Sequence, residues 1–62
     1  MNEIAKEALD TLYHMLKQTK ISLANAEKRN ARQDEMEALH RKIRVIDYLI
    51  ELTLKEDITD EH

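Results

Sequence analysis

Apolar and small residues recur along the first half of the chain at Ala5, Leu9, Leu12, Leu16, Thr19, Leu23 and Ala26. The steps alternate between four and three, the period of a helix that packs along one seam. Ile4, Ala8 and Met15 widen this stripe on one flank, while Tyr13 and Ile21 lie off it. Continued unbroken, the same phase falls on Asn30, Gln33, Glu37, His40, Arg44, Asp47 and Glu51, all polar. The apolar seam resumes instead at Met36, Leu39, Ile43, Ile46, Ile50 and Thr53, one residue or about 100° out of phase. A single rod would have to absorb that slip. The pattern therefore predicts a break between Ala26 and Met36 and an all-α fold, a two-helix antiparallel hairpin.

The ends of the elements carry their own signals. Asn2 can cap a first helix, and Glu3 and Glu7 suit the positive end of its dipole. Asn30 can take a left-handed cap where that helix stops. Asp34 followed by Glu37 reads as a capping box that opens the second helix. We expect one domain over residues 1–62, with helix 1 about 3–29, a loop about 30–33, helix 2 about 34–56 and a frayed tail at 57–62. Folding back near residue 31 pairs Ala26 with Met36, Leu23 with Leu39, Thr19 with Ile43, Leu16 with Ile46, Leu12 with Ile50 and Leu9 with Thr53. Small faces large in half of these layers, which lets two helices interdigitate. Ile46, Tyr48, Ile50, Leu52 and Leu54 also alternate with polar residues, so a strand there is the competing reading.

The densest apolar run, residues 43–54, leaves only a narrow polar strip of Arg44, Asp47 and Glu51. A helix buried on one side needs a single apolar stripe. Val45, Tyr48, Leu49 and Leu52, with Met15 beside them, are left over and need another cover, most simply a second copy. Two hairpins would make a four-helix bundle. Length points the same way. A chain of 62 residues has a small core, and with no cysteine it has no disulfide or thiolate metal site to staple it. The absence of Gly and Pro, and 37% charged residues, fit helices.

Charge narrows the function classes. The net charge of −3 argues against a general nucleic-acid binder. It is unevenly spread: residues 28–44 sum to +3 and residues 51–62 to −4. The start of the chain has no apolar signal-type segment, and no run approaches the roughly 20 apolar residues of a membrane span. We expect a cytoplasmic protein without membrane, cofactor or small-molecule substrate.

Chemistry is sparsely signalled. Glu37 and His40 have the E-x-x-H spacing of di-iron bundles, but Met36 and Leu39 hold the core-facing positions, so a solvated face is the ordinary reading. Asp10 and His14 are four apart, as an oriented imidazole requires and as surface pairs commonly are. His14-Met15-Leu16-Lys17-Gln18-Thr19 resembles the H-box of the histidine-kinase dimerisation family. His14, Leu16 and Lys17 match, with Met15 in place of the acid and Thr19 in place of Pro. Residues 43–50 resemble the second helix of the small sporulation-phosphorelay aspartyl phosphatases at Asp47, Leu49 and Ile50. Ile43 and Arg44 stand where that family has Ser and Gln, so its activity is not carried over.

The leading expectation is a non-enzymatic hairpin homodimer that binds another protein. Val45, Tyr48, Leu49, Leu52 and Met15 would form the dimer contact. Tyr13, Ile21, Arg29, Arg32 and Arg41 would meet the partner. The alternatives are a phosphorelay component using His14 or Asp47, and a weak nucleic-acid binder using the basic loop end.

Overall fold

The computed structural model describes residues 2–60, with side chains through Glu56. Two α-helices, α1 (Glu3–Lys28) and α2 (Gln33–Asp60), pack side by side as an antiparallel hairpin, and no strand occurs among the described residues. The stretch from Ile46 to Leu54 that alternates like a strand is helical. Its neighbours extend a helix into it from both sides, and no second strand exists for it to pair with.

α1 begins where Asn2 leaves the helical region (φ −76°, ψ 162°) and its Oδ1 accepts the Ala5 amide at 2.7 Å. That bond satisfies one of the donors every helix start leaves open. Glu3 in the first turn and Lys28 in the last both complement the helix dipole. The helix stops at Asn30, whose φ of 54° lies in the left-handed region. Asn30 N–H then donates to the Glu27 carbonyl at 3.2 Å and Ala31 N–H to that of Ala26 at 2.9 Å. This is a Schellman motif with Asn in the position glycine usually fills.

The connection, residues 29–32, has the expected length but lies one residue earlier, and α2 starts at Gln33. Arg32, not Asp34, precedes the helix, and its carbonyl accepts the Met36 amide at 3.1 Å. Asp34 therefore lies inside the first turn and accepts the Glu35 amide at 2.9 Å, so the expected capping box is not made. Glu37 accepts from Gln33 Nε2 at 3.4 Å instead. At the other end α2 continues through Asp60, beyond the expected stop near 56, and Glu61 and His62 lie outside the described residues.

All thirteen seam positions named from the periodicity are buried or half-buried, joined among the described side chains only by Ala8 and Ala31. Leu9, Ile46 and Ile50 form the centre of the core, with Leu12 and Leu16 packed on it. Ala26, with no exposed surface, lets the chain turn tightly beneath it. Two threonines sit in this seam, and each satisfies its hydroxyl within its own helix. Thr19 Oγ1 donates to the Met15 carbonyl and Thr53 Oγ1 to the Leu49 carbonyl, both at 2.8 Å. Burying Thr19 therefore strands no polar atom.

The hairpin measures 48 × 15 × 10 Å between Cα extremes, and its radius of gyration is 14.4 Å. A compact domain of this length would have a radius near 10.5 Å. One layer of two helices has a line of contact and no enclosed volume, so side chains one step off the seam remain in solvent.

Asn30→Val should lower unfolding free energy by about 1–2 kcal/mol, because a β-branched residue is penalised at positive φ. Asn30→Gly should match or exceed the parent. Urea unfolding at one fixed protein concentration checks both.

Candidate interaction surfaces

The side chains outside the seam fall into two stripes on each helix, one residue before the seam positions and one residue after them. Each step is about 100° of helix, so the stripes lie on opposite flanks of the slab. Because the helices are antiparallel, the "before" stripes of both share one flank.

That first flank carries a run of exposed apolar residues. On α2 it carries Val45, Leu49 and Leu52, all exposed, and on α1 Ile4, Ala8, Thr11 and Met15. Ile4, Glu7, Ala8, Thr11, Leu12, Leu49 and Thr53 line an open depression of about 470 Å3 between the helices. Four residues of the expected dimer face, Met15, Val45, Leu49 and Leu52, thus lie on one side of the molecule. The fifth, Tyr48, is 59% exposed and sits roughly opposite the seam, at the outer edge of α2. Ile4, the most exposed large apolar side chain at 80%, belongs to the same flank.

The second flank is mixed. Tyr13, Leu16, Lys17, Lys20, Ile21 and Ala24 line a depression of about 420 Å3 formed by α1 alone. The facing stripe of α2 is polar, with His40, Arg44, Asp47 and Glu51 exposed. Tyr13 and Ile21 are thus brought together, as expected of a binding surface. Lys17 and Lys20 at its rim escaped the sequence reading, although their steps of four and seven from Tyr13 mark one face.

The three arginines assigned to a partner do not join them. Arg29 lies 16 residues beyond Tyr13, about 24 Å along the helix. It pairs with Glu35 across the connection at 2.6 Å, which clips the loop end and engages its guanidinium. Arg32 is exposed in the connection, and Arg41 is exposed on α2. No helical period relates Arg29 to Glu35, which is why that pair was not legible beforehand.

The residues of the alternative readings are also separate. His14 lies on the back of α1, roughly opposite the seam, whereas Asp47 lies on the second flank of α2. No hydrogen bond links Asp10 to His14. Glu37 and His40 are exposed, and no three His, Asp or Glu side chains converge on a metal-sized point among the described residues. No described helix is long and apolar enough to cross a membrane. Comparison with protein-family models, curated proteins and solved structures finds no match for this chain.

Both partners of the Arg29–Glu35 bridge are solvent-accessible, at 62% and 44%. Such pairs contribute about 0–1 kcal/mol. Arg29→Ala should therefore shift the urea midpoint only slightly, and less at 1 M salt than at low salt, where screening is weaker.

Proposed function

We propose that this chain is a small non-enzymatic hairpin that pairs with a second copy through its first flank and binds another protein through its second. A cytoplasmic location is part of this reading. One observation carries the pairing. The hairpin exposes 5062 Å2 at a mass of 7.4 kDa. A folded monomer of that mass exposes about 4,200 Å2. The excess, about 850 Å2, is close to the ~800 Å2 that each partner buries in a standard interface. Apolar side chains also stand exposed in a row on the first flank, where such a contact would form.

The second flank supports partner binding by its chemistry. Tyr13, Leu16, Ile21 and Ala24 offer an apolar floor, and Lys17 and Lys20 set ammonium groups at its rim. The complementary ligand is an apolar helix face bordered by carboxylates. Both depressions are open troughs rather than the enclosed clefts in which small substrates are bound.

Sedimentation equilibrium tests the pairing. The parent should sediment at twice 7.4 kDa. Leu49→Glu, which puts a charge into the contact, should give monomer or unfolded chain. A parent that sediments as a single chain would remove the dimer from this reading. For the second flank, Tyr13→Asp with Ile21→Asp should keep the parent's mass but lose whatever protein the parent retains in pull-down. Equal retention by both would exclude this surface.

A further inference from the structure

The first-flank stripe of α2 has a symmetry that fixes how two copies meet. Past Glu35 and Ala38 at the loop end, it runs Lys42, Val45, Leu49, Leu52, Glu56, each residue one position before a seam residue or its continuation, in steps of three and four. Steps of that kind hold one face of a helix toward a partner helix. The stripe is apolar in the middle and nearly palindromic about Leu49, but its ends are opposite in charge. Lys42 stands on the loop side and Glu56 on the terminal side.

From these observations we infer that two copies pair with their long axes antiparallel, α2 against α2 and α1 against α1, about a twofold axis passing near Leu49. The inference rests on the homodimer reading above and adds its orientation. A contact around such an axis is isologous, so residues pair when their numbers sum to a constant. On α2 a sum of 97–98 brings Leu49 to its own copy, Val45 to Leu52 of the second copy, and Lys42 to its Glu56. Each end of the contact then carries one opposite-charge pair.

α1 agrees without adjustment. The antiparallel hairpin sets α1 near residue 13 level with Leu49. Pairing α1 with its copy about that level opposes Ile4 to Ser22, Ala8 to Gln18 and Thr11 to Met15. No like charges meet, and a smaller side chain faces a larger one each time.

The alternative face-to-face arrangement runs loop to loop, which lays α1 on α2 of the other copy. Lys42 then falls against the level of Lys20, and no acid answers it. The wider charge distribution disfavours that arrangement too. Residues 17–44 carry eight Lys and Arg against four acids, net +4, while residues 2–10 and 51–56 carry five acids and two lysines, net −3. Loop-to-loop pairing stacks +4 on +4 at the 8–10 Å spacing of packed helices, within about one Debye length at physiological salt. Antiparallel pairing sets each basic end beside an acidic one.

Cysteine cross-linking tests the orientation, because the chain has no cysteine of its own. Lys42 and Glu56 are both exposed, so replacing them leaves the seam intact. A mixture of Lys42→Cys and Glu56→Cys proteins should oxidise to the mixed disulfide dimer, while neither variant alone cross-links. Lys42→Glu should weaken the dimer about tenfold through two symmetric pairs, and adding Glu56→Lys should restore it. Cross-linking between Met15→Cys and Leu49→Cys, with no 42–56 product, would establish loop-to-loop pairing and overturn the inference. A parent that sediments at twice the chain mass yet gives none of these cross-links would overturn the assigned flank. A monomeric parent would instead strike down the homodimer reading itself.

Discussion

Two helices laid side by side touch along one line, and every other property of this hairpin follows from how little that line can hide. Among the described residues only Leu9, Ala26, Ile46 and Ile50 are buried apolar side chains, with Thr19 as the one buried polar residue. A slab 10 Å thick has no second layer to shield what lies beside the contact. The hydrophobic effect scales with the area removed from water, so a molecule of this shape leaves much of its apolar surface unused. Its small core and its exposed apolar surface are therefore two sides of one geometric fact.

The arrangement of that unused surface is orderly. Apolar residues one step before the seam (Ile4, Ala8 and Met15 on α1, Val45, Leu49 and Leu52 on α2) are gathered by the antiparallel turn onto a single flank, with mostly polar residues toward the loop end. Residues one step after it are mostly charged on both helices, with Tyr13 and Ala24 the apolar positions on α1 and Leu54 on α2. The slab consequently has one flank with a run of exposed apolar side chains and one that is mixed, the two surfaces on which the proposed pairing and partner binding rest. The threonines at 19 and 53 fit the same economy. Returning their hydroxyls to the Met15 and Leu49 carbonyls lets small residues occupy the seam without leaving a buried donor unmatched. Small residues there face larger ones and let the helices interdigitate.

Charge adds direction to this otherwise uniform rod. The middle of the hairpin, residues 11–16 and 45–50, contains Asp47 as its only Asp, Glu, Lys or Arg, while the loop end is basic and the terminal end acidic. In the proposed dimer, a waist with so few charges between opposite ends makes the relative orientation of two molecules an electrostatic question. Hydrophobic burial would supply the affinity of such a contact, and the ends would select its register.

Periodicity alone established the helices, the turn and the seam. A shift of one residue between two apolar ridges cannot be accommodated by one straight helix, and side-chain spacing along a helix is set by covalent geometry that every sequence shares. The caps at Asn2 and Asn30 were legible for the same reason, because each depends on a side chain and backbone a few residues away. What the pattern could not decide were features that depend on two segments meeting. Asp34 has the right spacing for a cap, but the tight Asn30–Ala31 turn delivers the chain to α2 two residues before that cap and gives its place to Arg32. The Arg29–Glu35 bridge spans the turn. The gathering of Ile4, Ala8 and Leu49 into one trough depends on the register of the two helices. Local rules act over one or two turns of backbone, whereas these contacts join residues whose separation in space is set only once the chain has folded back on itself.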